Sequence, residues 1–258
     1  MSQDEVNSTP RPVESPPAAL RRRVAARRLL RAETFYFAGL AAYAVLALLA
    51  YRYAYFGWDL RAARAVQAVG VPGWFEFMVA VSWFGDGLTP HLLAAVTAAG
   101  FFGRRRFSEG AALALSAGGG ALVNKAFKVL IGRPRPAAEL VGFSYTGGGE
   151  SFPSGHVSFY VCYFGFLFFV AFAILPRGSW QRRAALVLAA LPVLLVGFSR
   201  VTLRAHWPSD VAGAYLLSGL WLALSLEMYR RWKQRATIKR AAQAVAPGAA
   251  GTPPPAAG

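Results

Sequence analysis

Six long apolar stretches divide the chain, and each is at or near the length that crosses a lipid bilayer. They cover residues of about 35–56, 88–102, 110–131, 157–175, 184–198 and 211–229. A helix needs about 20 mainly apolar residues to cross the hydrocarbon core of a membrane. These stretches are apolar on every face, whereas a surface helix of a soluble protein is apolar on one face. The pattern predicts an all-α membrane protein, a bundle of six transmembrane helices.

The segment between the first two stretches, residues 58–84, is mixed in polarity. Asp59, Arg61 and Arg64 predict a short amphipathic helix that lies at the membrane interface. A Val-Pro-Gly sequence then breaks the chain before residues 74–84, which are short for a crossing. We expect this last segment either at the outer surface or as a lead-in to the second span.

Composition favours a membrane protein over a soluble one. Apolar residues make up 55% of the 258 residues and charged residues only 16%, less than a soluble two-domain protein of this length carries. The net charge of +16 would suit a nucleic-acid-binding protein, but the basic residues flank the apolar stretches. Membrane topology explains them better, and no nucleic-acid partner is expected. The single cysteine, Cys162, excludes an intramolecular disulfide and a multi-cysteine metal site, and we interpret it as a packing residue.

Both ends of the chain have the composition of tails. Residues 1–31 are rich in Pro, Ser and Ala and then in Arg, and they lack the long apolar core of a signal peptide. Residues 233–258 are basic and then rich in Ala, Pro and Gly. We expect two largely disordered cytoplasmic tails, 1–31 and 233–258, around one six-span domain, 32–232.

The basic residues predict the orientation of the spans, because loops rich in Lys and Arg stay in the cytoplasm. Nineteen of the 28 Lys and Arg residues fall in the N-terminal tail, after the sixth apolar stretch and in two turns, residues 104–106 and 177–183. Both termini are therefore predicted in the cytoplasm. Most of the other basic residues gather on the outer side, near two histidines: Lys125, Lys128, Arg133, Arg135, Arg200 and Arg204. Charge placed against the topology rule indicates function.

Three groups of polar residues lie at the predicted outer ends of the spans. They are Lys128 with Arg135-Pro136, then Pro153-Ser154-Gly155-His156, and finally Ser199-Arg200 with His206 and Asp210. In order and spacing, these eleven residues resemble the three-part signature of the type 2 phosphatidic acid phosphatase superfamily. The resemblance extends over residues of about 35–230 and includes the six-span layout. It implies metal-independent hydrolysis of a phosphomonoester or pyrophosphate through a phosphohistidine, at a site shared with vanadium haloperoxidases.

The chemical properties of these residues also suit phosphate hydrolysis, independently of the family resemblance. A phosphate monoester carries about two negative charges near neutral pH, and its transfer spreads charge over the equatorial oxygens. Lys128, Arg135 and Arg200 supply positive charge, and an arginine fork matches a pair of oxygens. Ser154 and the Gly155 amide open a helix, where backbone N–H groups and the helix dipole favour an anion. These five residues are the predicted phosphate-binding set.

Two histidines are the candidates for the covalent and proton-transfer steps. Pro208 suits the first turn of a helix, which places Asp210 one turn after His206 and within reach of one imidazole nitrogen. His206 is therefore the predicted nucleophile, oriented by Asp210. His156 belongs to the phosphate-binding segment and is the predicted general acid that protonates the leaving oxygen. No cofactor and no metal are expected.

Lys125, Arg133, Arg204 and His91 lie near the signature residues in the sequence or flank a span, but they have no position in the signature. We interpret Lys125, Arg133 and Arg204 as auxiliary charges or lipid contacts. His91 is interpreted as an interfacial residue that flanks the second span, because long polar side chains favour membrane boundaries.

Three alternative functions remain open. A metal-dependent hydrolase would use His156, His206 and Asp210 as ligands, although three neighbouring cations would repel a metal ion. A non-catalytic lipid transporter or scaffold would keep only the anion site. A lipid phosphotransferase would pass the phosphoryl group to another acceptor.

The lipid substrate is not specified by the signature. Phosphatidic acid, phosphatidylglycerol phosphate, lipid A phosphates and undecaprenyl pyrophosphate all present a similar headgroup to such a site. Richness in Ala, Arg, Gly and Pro suits a bacterial source. The leading expectation is therefore recycling of an undecaprenyl carrier on the outer face of a bacterial inner membrane, with membrane lipids as the partners.

Overall fold

The computed structural model describes residues 18–142 and 149–245, with side chains at 33–142 and 149–238. Within these residues the predicted tails are helical, since the first helix begins at Ala18 and the last one ends at Val245. The structure therefore differs from the expected disorder at 18–31 and 233–245. The outer parts of the two predicted tails, before residue 18 and after residue 245, lie outside the described residues.

Every regular element in the described residues is helical, which confirms the all-α prediction. The α-helices are, in chain order, α1 (Ala18–Arg52), α2 (Gly57–Gln67), α3 (Trp74–Ser82), α4 (Thr89–Gly103), α5 (Phe107–Leu113), α6 (Gly120–Ile131), α7 (Ala138–Val141), α8 (Gly155–Ile174), α9 (Trp180–Thr202) and α10 (Pro208–Val245). A 3₁₀ turn (Trp83–Gly85) follows α3, and a π-helical segment (Ala114–Gly119) joins α5 to α6. The chain forms two compact units, Met1–Gly39 and Leu40–Gly258, and the site described below lies in the second.

Among the described helices, four segments are long and apolar enough to cross a membrane by length and composition. They are Glu33–Arg52, Gly155–Ile174, Trp180–Thr202 and Pro208–Ile238, and they correspond to predicted spans one, four, five and six. The predicted second span is α4, whose 15 residues fall short of the usual crossing length. The predicted third span is divided among α5, the π-helical segment and α6. The protein is thus a helical membrane protein, and the count of six spans stays a prediction.

Glycines around the π-helical segment allow close helix packing. A Cβ atom at Gly119 would collide with the ring of Trp221 in α10, and one at Gly120 would lie 2.6 Å from Sγ of Cys162 in α8. The indole N–H of Trp221 donates to two carbonyl groups of the π-helical segment, each at 3.2 Å. Cys162 is buried, in agreement with its predicted packing role.

Helix α2 forms where the sequence predicts an amphipathic helix, but its Asp59 is fully buried rather than at a membrane interface. Asp59 Oδ2 lies 3.1 Å from Nη2 of Arg133, which is also buried. The Arg133 guanidinium packs over the Phe56 ring, and its Nε donates to the carbonyls of residues 53 and 54. A buried charge needs such partners, because its desolvation is costly. The interpretation of Arg133 as a lipid contact is therefore wrong, since it is buried and joins the loop after α6 to α2. Its alternative interpretation, an auxiliary charge, agrees with its ion pair to Asp210.

Helix α3 packs along α9, where Ser199 Oγ donates to the carbonyl of Met78 at 2.6 Å. The 3₁₀ turn then leads the chain through Asp86 into α4. Both predicted positions for this segment, at the outer surface or as a lead-in to the second span, stay predictions.

The predicted orientation is tested by single cysteines in a Cys162→Ser background. Glu139 and Gln181 are both exposed, so access within the protein does not limit labelling. A membrane-impermeant maleimide should label Glu139→Cys in intact cells. Gln181→Cys should be labelled only after permeabilisation, because the basic turn at 177–183 is predicted to stay inside. The reverse pattern would contradict the topology.

The buried charge cluster is tested by the stability of Arg133→Met. Because Arg133 pairs with both Asp59 and Asp210, the variant leaves two buried carboxylates without their cation. The free energy of unfolding should fall by about 3–5 kcal/mol. Arg231→Met is the matched control, since its pair with Glu227 is exposed and is expected to contribute about 1 kcal/mol or less. Chemical unfolding in detergent measures both, and equal losses would contradict the account.

Candidate active site

The three signature groups come together beside the start of α8. The backbone N–H of Ser154 donates to the carbonyl of Asp210 at 3.3 Å, which joins the second group to the third. Lys128 Nζ donates to the carbonyl of Glu150 at 2.5 Å, which joins the first group to the loop before the second. Residues from three separate parts of the chain are therefore neighbours.

The three predicted phosphate-binding cations surround one histidine. Lys128, Arg135 and Arg200 all lie close enough to His206 to act on it electrostatically. Arg135 Nη1 donates to the carbonyl of Ala205, the residue before His206, at 3.0 Å. Arg200 is buried at the end of α9. This arrangement suits a group that carries two negative charges and lies next to His206.

The start of α8 supplies further donors. Helix α8 begins at Gly155, with Ser154 immediately before it. Amide groups in the first turn of a helix have no partner within the helix and favour an anion. Ser154 Oγ is buried and forms no hydrogen bond within the described part of the chain. A Cβ atom at Gly155 would lie 3.8 Å from Cε of Lys128, so the amides and this cation are adjacent. A buried hydroxyl in this position is available to a bound oxyanion.

Two polar residues that the sequence did not indicate hold these groups in place. Asn124, buried in α6, donates through Nδ2 to Ser158 Oγ at 2.8 Å and to the Pro153 carbonyl at 3.3 Å. Ser82, at the end of α3, accepts a hydrogen bond from Nη1 of Arg200. No motif spacing in the sequence marks either residue.

His206 has the properties of a nucleophile. Burial lowers its pKa well below the ordinary value because it disfavours the charged imidazolium, and the nearby cations act in the same direction. The imidazole is therefore neutral near neutral pH, with a nitrogen lone pair available. Nδ1 lies 3.4 Å from Ser151 Oγ and 3.6 Å from Asp210 Oδ2. Because Ser151 Oγ donates its hydrogen to Asp210, it accepts from Nδ1–H, and the lone pair of the neutral ring lies on Nε2.

The contact between Asp210 and His206 differs from the predicted one, because 3.6 Å is longer than a hydrogen bond. Asp210 Oδ2 instead accepts from Ser151 Oγ at 2.5 Å and from the Trp207 amide at 2.8 Å. Its Oδ1 accepts from Arg133 Nη1 at 2.6 Å. Asp210 is thus held by the first turn of α10 and by Arg133, and Ser151 bridges the remaining gap to the histidine. Orientation of His206 by Asp210 stays a proposal, with Ser151 as the link.

A buried network continues behind Asp210. Arg133 Nη1 also donates to Ser209 Oγ at 2.7 Å. Asp59 accepts from the Ser209 amide at 2.8 Å and from its hydroxyl at 2.6 Å. Asp59 and Ser209 are 150 residues apart in the chain, so no local pattern indicates their contact. Helix α2 is thereby fixed to the start of α10, where the signature carboxylate lies.

His156, the predicted general acid, is bonded to a carboxylate that sequence reasoning also missed. Its Nε2 lies 2.8 Å from Oδ1 of Asp86, which follows the 3₁₀ turn. This hydrogen bond holds the pKa of Asp86 below its ordinary value, although partial burial acts in the opposite direction. The site therefore contains two pairs of a histidine with an aspartate.

The other basic residues take different positions. Lys125 and His91 are exposed and line a cavity of about 280 Å³ between α4, α6 and α8, which extends to Gly155. Small apolar residues of α4 and the π-helical segment line its other end. Arg204 is half-buried, with its guanidinium beside Gly142. The predicted roles of these residues as auxiliary charges, lipid contacts or interfacial residues stay predictions.

Within 33–142 and 149–238, no three His, Cys, Asp or Glu side chains are grouped as a metal site requires. The side chains that approach His206 include three cations, which suit an anionic ligand. Independence of a metal and of a cofactor stays a prediction for experiment.

The region of the chain that contains this site is similar in sequence to known proteins. Residues 109–234, which include all eleven signature positions, match the PAP2 superfamily. Phosphatidylglycerophosphatase B of Bacillus subtilis is 30% identical over 181 residues, which cover 69% of this chain and 87% of that protein.

Two solved structures are similar in fold. A transmembrane PAP2-type phosphatidylglycerolphosphate phosphatase from Bacillus subtilis gives a TM-score of 0.64 at 25% identity, covering 76% of this chain and 96% of that chain. LpxE of Aquifex aeolicus gives a TM-score of 0.51 at 21% identity, covering 67% of this chain and 96% of that one. The sequence relationship and the shared fold agree with the resemblance carried by the signature residues, and the chain belongs to the PAP2 superfamily.

Proposed function

We propose that this protein hydrolyses the phosphomonoester or pyrophosphate of a membrane lipid through a phosphohistidine on His206. The observation that carries the proposal is the convergence of Lys128, Arg135 and Arg200 on this buried, neutral imidazole. Cations that surround a nucleophile lower the cost of bringing it to a dianionic phosphate and stabilise the charge that spreads in the transition state.

The first half of the reaction transfers the phosphoryl group to the enzyme. The lone pair on Nε2 of His206 attacks phosphorus, and the bond from phosphorus to the lipid oxygen breaks. His156 gives its proton to that oxygen, because an alkoxide is a poor leaving group. Ser154 Oγ and the amides at the start of α8 donate to the phosphoryl oxygens.

The second half releases inorganic phosphate. Water attacks phosphorus while the now neutral His156 takes its proton, and the bond from phosphorus to His206 breaks. Both histidines return to their starting protonation states, so no proton or electron is consumed beyond those of water. Asp210, through Ser151, keeps the Nδ1 side of His206 fixed during both halves.

The lipid portion is placed in the cavity between α4, α6 and α8. This cavity extends to Gly155 and Gly85, and a Cβ atom at Gly85 would collide with the ring of His156. The cavity therefore reaches both the start of α8 and the turn that lies beside His156. Lys125 at its rim suits a second anionic group on the same lipid.

The substrate proposed first is a phosphatidylglycerol phosphate, because the similar Bacillus subtilis sequence and the similar Bacillus subtilis structure both carry that activity in their names. Undecaprenyl pyrophosphate, the leading expectation from composition, and phosphatidic acid are the alternatives. A phosphotransferase with the same site would leave the phosphoryl group on a second acceptor, whereas a non-catalytic transporter would release no product.

A panel of these lipids, assayed in detergent micelles with EDTA present, tests the proposal. Inorganic phosphate should be released despite chelation and should require His206. Vanadate should inhibit, because its five-coordinate adducts resemble the transition state and would bind the same cations. Loss of turnover in EDTA that a divalent ion restores would rule for a metal-dependent hydrolase. Phosphate recovered only on another lipid would rule for a phosphotransferase.

A further inference from the structure

The turn between α3 and α4 contacts His156 in two independent ways. Asp86 Oδ1 lies 2.8 Å from Nε2 of the imidazole. Gly85 lies against the ring, because a Cβ atom at this position would collide with Cδ2 and lie 2.9 Å from Cγ. The turn therefore bonds one edge of the ring and closes one side of it.

The charge of Asp86 determines which nitrogen of His156 carries a hydrogen. Its hydrogen bond to His156 keeps the pKa of Asp86 below the ordinary value, so the carboxylate is ionised near neutral pH. An ionised carboxylate only accepts hydrogen bonds. Nε2 must then be the N–H donor to Asp86, and Nδ1 is the nitrogen that can gain or lose a proton.

The phosphate-binding cations create a need for this carboxylate. Arg200 and Arg135 both lie close enough to His156 to interact with it electrostatically. Burial of the imidazole and the charge of these two arginines both disfavour its protonated form, yet a general acid must be protonated before it can act. A carboxylate in direct contact with the ring acts against both effects, because it favours the protonated form.

We propose that Asp86 is a positioning residue that keeps His156 protonated on Nδ1 for the leaving group, and that Gly85 is required for the ring to occupy this position. The inference rests on the proposed function and adds a fourth segment of the chain to the three signature groups. The proton passes from Nδ1 to the lipid oxygen as the bond from phosphorus to that oxygen breaks. In the second half, Nδ1 takes a proton from the attacking water, while Nε2–H stays bonded to Asp86 throughout.

The variant Asp86→Asn tests this through the leaving group. With a lipid phosphate, turnover should fall by about 10²-fold or more, the lower range for loss of general acid catalysis. With p-nitrophenyl phosphate, whose leaving group needs little protonation, the loss should stay below about 10-fold. Glu76→Gln is the matched control, because Glu76 is an exposed carboxylate on the preceding helix and should leave both rates unchanged.

A double-mutant comparison separates action through His156 from a general structural role. If Asp86 acts through His156, adding Asp86→Asn to His156→Ala should cause little further loss on the lipid. Inhibition by vanadate reports whether the phosphate-binding residues are intact in each variant. If Asp86→Asn loses vanadate inhibition, Gly85→Ala provides the second variant, and it should show the same difference between the two substrates.

Equal losses on the two substrates, no loss on the lipid, or additive losses in the double variant would each overturn the role of Asp86. Failure of the proposed function has a different outcome, because the unaltered protein would then release no phosphate from any lipid in the panel.

Discussion

The site depends on holding several positive charges around a histidine that must itself stay neutral. Lys128, Arg135 and Arg200 all act on His206, and its burial adds to their effect. The same positive charge would also favour loss of the proton from a general acid, so the two histidines need different surroundings. Asp210 is engaged by Arg133, a backbone amide and Ser151 and stays 3.6 Å from His206, whereas Asp86 bonds His156 directly. The direct contact with Asp86 favours the protonated form of His156, and the proposed mechanism requires this difference between the two histidines.

The fold meets this constraint with short helices and turns that lie outside the long apolar segments. Helix α2 contributes Asp59, whose buried pair with Arg133 fixes the start of α10 and therefore Asp210. The turn after α3 contributes Asp86, and α6 contributes Asn124, which bonds the start of α8. Long helices supply the frame of this lipid phosphatase, and the intervening segments determine where its charged groups lie.

Sequence alone indicated the all-α architecture and every residue of the three signature groups, because both depend on patterns that are local in the chain. The sequence did not indicate which other residues bond to these signature groups. Asp59 and Asp86 are isolated acidic residues, and the residues that they contact lie far away in the sequence. Arg133 has the sequence context of a basic residue at a membrane boundary, and only the structure shows that it is buried. The π-helical segment that divides the third stretch ends where Gly119 packs against Trp221, a contact between residues far apart in the sequence.

The central claim is that His206 receives the phosphoryl group while His156 handles protons. Rapid-quench reaction with lipid labelled at its terminal phosphate, followed by peptide mapping under alkaline conditions that preserve phosphohistidine, tests it most directly. The account predicts label on Nε2 of His206, formed within one turnover and absent from His206→Ala. Label on His156, or turnover by His206→Ala at the unaltered rate, would contradict it.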